Sequence, residues 1–444
     1  MEIVWKQHEH GTDQLTDLLD KDDYQGATFE IKKEERYNFV SSKHPEEKVN
    51  VTVGDPCFEN PCSYESVEKV FDHIRDLTGL TDNSKVRQWT MLGCDGLPYT
   101  LGSRTIENVS VCQDCKMEFD EEANFKDHIK QNDHCKELSA NDCRKYNNIV
   151  MIPGLGHYEI NMVKVLIKLL WDIAVFDLAK MLGFHSPKAL QSFQNAGDHH
   201  KSWQSLMIFM HSMAQELLVP YCRQEVKKNA NPSLTGYFSY LNGATSSNYK
   251  FMSEVVFTYC LALHVFRAGI RRDNSTAIQA GKVKFSPLFF GFNMPFYMET
   301  FIRDSFVRVQ CPPEVLAFIG ANESYSASGH DSKREGGDFV LENINRKSKM
   351  WMPSGLPDKK KWLEVYCNID RLDEVQDHMY NIQHLQPADD ECVHANRKLD
   401  KDQLILLQSL EEDISYICGM DFFPDDHPLQ KINQVHLAGG KAKY

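Results

Sequence analysis

The sequence lacks a positive charge excess, a long apolar run and a secretory leader, and each absence excludes something. Among 444 residues, 49 are Lys or Arg and 63 are Asp or Glu, giving a formal charge of -14. The chain therefore has no bulk positive field with which to neutralise duplex phosphates, and any nucleic-acid surface has to be a local patch. No stretch of about 18 uncharged apolar residues occurs, and mean hydropathy is -0.46. On this reading a membrane-spanning helix is excluded. The opening residues MEIVWKQHEH have neither the basic n-region nor the apolar h-region of a signal peptide. Repeats of about 20 to 50 residues and low-complexity tracts are also missing, which excludes solenoids and propellers.

What is present is globular. Hydrophobic residues make up 42% and charged residues 25%, which is incompatible with a wholly disordered, collagen-like or coiled-coil chain. At about 150 residues per domain, two to four units are expected. The 13 cysteines are odd in number and sparse for a disulfide scaffold. They favour a reducing interior, nuclear or cytoplasmic, where the four Asn-x-Ser/Thr triplets are chance matches.

Composition divides the chain into seven segments. Residues 1–50 are charged and poorly periodic, an irregular arm that reads as continuing from something longer. Residues 51–111 alternate strand and helix signals. VNVTVGDPCF is β-branched and then turns. SYESVEKVFDHIRDLTGL places Val67, Val70, Phe71, Ile74 and Leu77 on one helix face, with Ser63 or Ser66 near its N-cap and Gly79 at its end. QWTMLGCDGLPY reads as a buried strand running into a turn at Asp95-Gly96. Residues 112–136 form a small inserted module. Residues 137–184 hold a strand with Ile149, Val150, Met151 and Ile152 at its core, then an amphipathic helix over 158–183. Residues 185–335 are mostly helical, ending in the polar, glycine-rich loop NESYSASGHDSKREGG. Residues 336–364 hold the helix DFVLENINRKSKMWM and a basic stretch. Residues 365–444 are an acidic tail with one clear helix, DKDQLILLQSLEEDISYIC.

The inserted module, VCQDCKMEFDEEANFKDHIKQNDHC, carries the strongest motif. Cys112 and Cys115, then Phe119 and Phe125, then His128 and His134 follow the Cys2His2 finger pattern. Two thiolates on a hairpin and two imidazoles on a helix close a tetrahedral Zn²⁺ site, and the phenylalanines supply a small core. Cys135 is an alternative to His134 as the fourth ligand. Counting back from His128, the positions that read bases in DNA-binding fingers are Glu121, Asn124 and Asp127. With Asp120 and Glu122 beside them, that face repels phosphates. It suits protein contact, single-strand contact or structural support.

Acidic residues also stand at element ends. Asp95 follows TMLGC; His157 and Glu159 follow IVMI and its turn; Glu342 lies on the late helix, with Asp338 one turn earlier. Carboxylates converging from separate elements can hold the two Mg²⁺ or Mn²⁺ ions of a phosphoryl-transfer site. Each also has an ordinary reading: a turn dipeptide for Asp95-Gly96, an ion pair with Arg346 for Glu342, a backbone hydrogen bond for His157. Basic residues with Trp351 and Trp362 across 333–361 suit single-stranded nucleic acid or a solvated helix face. His199-His200 reads as a surface pair. Gly154-x-Gly156 lacks the third glycine of a dinucleotide fingerprint. The cysteines at 222, 260, 311 and 418 read as core.

Several phrases together resemble a transposon-derived domain family of unknown function: GDPCFENPCSYESV, MLGCDGLPY, MIPGLGHYEINMVK, FRAGIRRDN, FSPLFFGFNMPFY and DFVLENINRKSKMW. That family is itself similar to RNase H-like (DDE-type) transposases. The resemblance implies an α/β fold, a five-stranded mixed sheet flanked by helices. It would be split over 51–111 and 137–184, interrupted by the finger and by a helical insertion at 185–335, and completed by the helix in 336–364. It implies Asp95 and Glu342 as the first and third metal-binding acids. The second place reads GLGHYEIN, where Glu159 substitutes for the usual aspartate and His157 positions or bridges. The chemistry implied is divalent-metal-dependent polynucleotidyl transfer or nuclease activity on DNA. The rival expectation is a catalytically inactive zinc-containing protein-interaction module.

Overall fold

A computed structural model describes residues 57–60, 62–80, 88–135, 138, 142–326, 334–352 and 358–382. The N-terminal arm, the VNVTV strand, the tail helix from Asp400 and residues 327–333 of the glycine-rich loop lie outside these residues.

Helix α1, Tyr64–Thr78, forms as its sequence dictates. The Ser63 hydroxyl accepts a hydrogen bond from Ser66 N, and Gly79 closes the helix at φ 71, a conformation that a Cβ disfavours. It buries Val67 and Phe71 in a small cluster with Tyr99, Val109, Tyr146, Ile149 and Met151.

That cluster sits on a two-stranded parallel sheet. Strand β1, Thr90–Cys94, pairs with the strand Ile149–Pro153 in register from Thr90↔Ile149 to Cys94↔Pro153. Parallel strands need a long crossover. Here it holds helix α2, Gly96–Asn108, then strands β2, Ser110–Val111, and β3, Glu118–Phe119, and helix α3, Glu122–Asn132. Strand Ile149–Pro153 is therefore β4. Where a turn was expected after β1, Asp95 instead caps α2, accepting Gly96 N at 2.6 Å.

Helix α4, Leu155–Leu170, starts directly after β4. The single helix expected over 158–183 is interrupted: a π-helical turn, Trp171–Val175, leads into α5, Phe176–Met181. Then come α6, Pro187–Gln194; α7, His199–Lys227; α8, Leu234–Gly243; and α9, Ser247–Glu254. A second π turn, Val255–Cys260, joins α9 to α10, Leu261–Arg271. Next are α11, Ser275–Gly291; α12, Pro295–Gln310; and α13, Pro313–Asn322. Strands β5, Ser324–Tyr325, and β6, Glu335–Gly336, pair antiparallel before α14, Gly337–Met350. Helices α15, Lys359–Tyr366, and α16, Ile369–Ile382, follow.

The main core lies among α4, α7, α10 and α11, where Met162, Leu166, Leu206, Leu217, Leu263, Phe266 and Phe285 are fully buried. The continuous stretch Ser247–Arg271 is, among the described residues, the helix long and apolar enough by length and composition to cross a membrane; half of it is buried within this core. Cys222 and Cys260 are buried core residues, and Cys311 is half-buried.

Among the described residues a five-stranded RNase H-like sheet is not shown. The described residues are mostly helical, and their strands form three two-stranded sheets. The segment 185–335 holds the expected helices, and they dominate the packing rather than decorating a sheet.

Candidate functional site

Two clusters gather chemistry-bearing side chains. The first stands at the C-terminal ends of β1 and β4, where the sheet hands over to helix N-termini. Gly154 N donates to Cys94 O at 2.7 Å, which aligns the two strand ends. Asp95 follows β1 and is exposed. His157 lies in the first turn of α4. The N-terminus of α14 reaches the same place and delivers Asp338.

Asp338 is buried and fully engaged. Its Oδ1 accepts Gly156 N at 3.0 Å; its Oδ2 accepts His157 N at 2.7 Å and lies 2.9 Å from His157 Nδ1. It thus caps α4 from another helix and fixes the imidazole. The hydrogen bond to Asp338 raises the His157 pKa above 6.5 against the opposing effect of burial, and the charges of Asp95, Asp338 and Glu342 add to it. With Nδ1 turned to Asp338, Nε2 is the nitrogen left to face a ligand. The same contacts hold the Asp338 carboxyl below its ordinary 3.8, although burial opposes this.

The approach requires glycine. A Cβ on Gly154 would stand 2.7 Å from Asp338 Oδ2, and one on Gly156 would stand 2.5 Å from the Phe339 ring. The Gly154-x-Gly156 pair therefore lets α14 approach the N-terminus of α4.

Two further residues join from outside the acids read in the sequence. Tyr297 Oη donates to Asp95 Oδ1 at 3.0 Å, and Asn161 Nδ2 donates to Tyr297 Oη at 2.6 Å. Asn161 had a signal, since it lies one turn after His157 and shares its face. Tyr297 had none beyond its place in FSPLFFGFNMPFY.

Glu159 does not join this group. Residues two apart on a helix point about 200° apart, so with His157 at the strand ends Glu159 faces the helical core. There its Oε1 pairs with Arg267 Nη1 at 2.9 Å and His199 Nε2 at 3.4 Å. Burial pushes the Glu159 carboxyl up, but Arg267 and His199 outweigh it and bring it to about 2. His199 is correspondingly no surface residue; its side chain is 9% exposed and stacks on Phe339 at 5.5 Å. Glu342 is exposed on α14, one turn beyond Asp338. The basic stretch is thinner than its sequence, because Arg334 is buried on Asp273 Oδ2 at 3.3 Å. Arg346, Lys349 and Lys359 to Lys361 remain exposed.

The second cluster is the finger. The ligand atoms of Cys112, Cys115, His128 and His134 all lie within 4.8 Å of one another and could hold a metal ion. Cys112 Sγ is 3.4 Å from His134 Nδ1, Cys115 Sγ is 3.3 Å from His128 Nε2, and the two imidazole nitrogens are 3.3 Å apart. A tetrahedron with Zn–S of about 2.3 Å and Zn–N of about 2.0–2.1 Å has N···N edges of about 3.3 Å and S···N edges of about 3.5 Å. The donor set and its spacing are compatible with that ion, and the four-residue group includes His134. Burial raises the Cys112 thiol, but the backbone N–H groups of Cys115 and Asp114 with the His128 and Cys115 side chains bring it down to about 6. Phe119 and Phe125 pack at 5.7 Å beneath the site. Glu121, Asn124 and Asp127 are exposed on the finger helix.

Among the described residues, groups of three or more ligand atoms this close occur in the finger and not at the strand ends. The chain matches no protein-family model, no curated protein and no solved structure.

Proposed function

We propose that this is a transposase-derived, nucleic-acid-associated protein whose strand-end site serves divalent-metal-dependent polynucleotidyl transfer or nuclease chemistry. One observation carries the reading: Asp95 and His157 follow the two parallel strands, and α14 arrives beside them with Asp338 and Glu342. Crevices at the carboxyl ends of parallel strands are where α/β folds bind ligands. The RNase H-like descent belongs to this proposal, supported by that arrangement and by the family-like phrases in the sequence.

In this reading Asp95 and Glu342 are the acids that hold Mg²⁺ or Mn²⁺. Such ions take one or two carboxylates together with water and substrate phosphates, which suits two exposed acids. When bound, the ion polarises a phosphoryl oxygen and lowers the pKa of an attacking water. Asp338 orients His157, whose Nε2 accepts or returns a proton. Tyr297 and Asn161 hold the Asp95 carboxylate in place. Glu159 is left out of the set and acts as a structural ion-pair partner. Zn²⁺ is the ion we assign to the finger, in a structural role.

The test is cleavage of supercoiled and single-stranded DNA with Mn²⁺ by the wild type, Asp95→Asn and Glu342→Gln. Metal-dependent cleavage that falls at least 100-fold in both variants is the expected result. A wild type that neither cleaves nor binds Mn²⁺ at millimolar concentration would overturn it. That outcome would favour the second reading, a non-catalytic protein-interaction module. The exposed acidic face of the finger is the observation on its side.

A further inference from the structure

The finger holds more thiolate and carboxylate than one metal ion uses. Cys135 Sγ lies 3.8 Å from Cys112 Sγ, close to the S···S edge of about 3.75 Å between two thiolates sharing one tetrahedral Zn²⁺. Yet Cys135 is not one of the four ligands above. It forms a second close group with Cys112 and Asp114, whose ligand atoms also lie within 4.8 Å of one another. The two groups share the Cys112 sulfur.

The backbone is bent to produce this arrangement. Asp133 and Cys135 both have left-handed φ, 58° and 52°, a conformation rarely adopted by residues other than glycine. The turn brings both His134 Nδ1, at 3.4 Å, and Cys135 Sγ, at 3.8 Å, to the Cys112 sulfur. It is held by Asp114, whose Oδ2 accepts Cys135 N at 2.6 Å. A carboxylate has about four lone-pair sites, so this bond leaves Asp114 able to bind an ion as well. Cys143, fully buried, packs in the same small cluster and hydrogen-bonds with the Cys135 thiol. Cys135 and Cys143 also line a cavity of about 90 Å³ between the finger helix and the end of α2, bounded by Glu107, Phe125 and Arg144.

We propose that the finger is a two-metal centre in which Cys112 bridges a second thiophilic dication, Zn²⁺ or Cd²⁺, held also by Cys135 and Asp114. The inference rests on the finger reading and extends it. Binding converts the Cys135 thiol to a thiolate and releases its proton to water. Cys143 stands behind Cys135 and packs it toward the bridge.

The experiment is metal stoichiometry on the full chain. Wild type, Cys135→Ser and Cys115→Ser are saturated with Zn²⁺, freed of excess metal and measured by elemental analysis. A ¹¹³Cd spectrum of the cadmium-loaded wild type accompanies the measurement. We expect two ions per wild-type chain, one in Cys135→Ser, and two coupled ¹¹³Cd resonances that mark a bridging sulfur. One ion in the wild type, or two retained in Cys135→Ser, overturns the bridge while leaving the finger reading intact. No bound ion in the wild type overturns both. Cys115→Ser separates the sites, since it removes a ligand of the first ion only. Retention of one ion there also supports the second site, and loss of both makes the second ion dependent on the first.

Discussion

His157 and Asp338 lie 181 residues apart in sequence and 2.9 Å apart at Nδ1 and Oδ2. The contact does two jobs at once, because the same carboxylate also takes the first N–H groups of α4. A helix N-terminus stabilises a carboxylate, and the carboxylate in turn stabilises an imidazolium. We predict that His157 titrates above 6.5 in the folded chain and that Asp338→Asn lowers its pKa toward 6.5, since burial is then opposed only by the charges of Asp95 and Glu342. The sign follows for stability. The raised His157 contributes fully below its unfolded pKa and loses its contribution as pH rises through its folded value. The depressed Asp338 contributes above about 3.8 and loses its contribution as pH falls through its own. The pair is therefore strongest between these limits. Asp338→Asn should cost about 1.5–3 kcal/mol near pH 6. Imidazole proton shifts against pH, with urea unfolding at pH 6 and 9, check both statements. An unchanged His157 titration in Asp338→Asn would show that the contact does not form.

Gly156→Ala tests the packing that brings these residues together. The new Cβ would meet the Phe339 ring at 2.5 Å, and that ring lies on His199 at 5.5 Å. Phe339 cannot yield without disturbing its stack on His199, so a loss of about 1–3 kcal/mol is expected from overpacking. Gly243→Ala, where no atom lies within 4 Å of the new Cβ, is the control and should stay within about 0.5 kcal/mol. Thermal unfolding of the two variants decides the matter. Equal melting temperatures would mean that α14 does not sit against α4 as described.

How much of this was legible in the sequence depended on the range of the interactions. Local chemistry could be read. Ser63 and Gly79 marked the ends of α1, the Cys-x-x-Cys and His spacing marked the finger, and the apolar runs TMLGC and IVMI marked the parallel strands. The strand-end position of Asp95 and His157 followed from those runs. Glu159 stands two residues after His157 in sequence, but a helix sends residues two apart to opposite sides, and it pairs with Arg267 and His199 instead. Asp338 was seen only as a neighbour of Glu342, because nothing in DFVLENINRK says that its first acid turns inward to cap another helix. Tyr297 reaches Asp95 across 202 residues, and no local pattern encodes such a meeting. The five-stranded sheet was an expectation of the resemblance alone, and the described residues carry three two-stranded sheets instead.

The Glu159–Arg267 pair makes a prediction opposite to a catalytic role. Both side chains are buried, with exposures of 4% and 15%, and Arg267 also stacks over Trp203 at 4.1 Å. Removing one partner strands the other charge in the core. Glu159→Gln should therefore destabilise the chain by about 3–5 kcal/mol, whereas a double replacement of Glu159 and Arg267 by methionine should recover much of that loss. Because Arg267 and His199 hold the Glu159 carboxyl near 2 against the effect of burial, its contribution is present above about 4.5 and fades as pH falls toward 2. Urea unfolding of the single and double variants at pH 7 and pH 3.5 measures this. A Glu159→Gln chain as stable as the wild type but altered in DNA cleavage would move Glu159 back to the active site.

Metal removal should act locally, because the finger has little else to hold it. Its core is Cys112, Phe125 and Cys143 with Phe119, Ile129 and Cys135 against them, too small to fold a module of this size without a metal or other staple. The module is nevertheless tied to the body. Val111 N donates to Cys143 O at 2.7 Å, and Lys145 bridges Glu118 of the finger at 3.0 Å and Asp72 of α1 at 3.6 Å. We predict that a strong chelator abolishes amide-exchange protection in Glu122–Asn132 and weakens it at Val111 and Lys145. Protection in α4, α7 and α10, whose buried residues form a separate cluster, should be unchanged. Protection that survives in Glu122–Asn132 without metal would mean the finger folds on its phenylalanines alone. Loss that spreads into α4 would mean that the strand-end site depends on the metal through β4, coupling the two clusters in one cooperative unit.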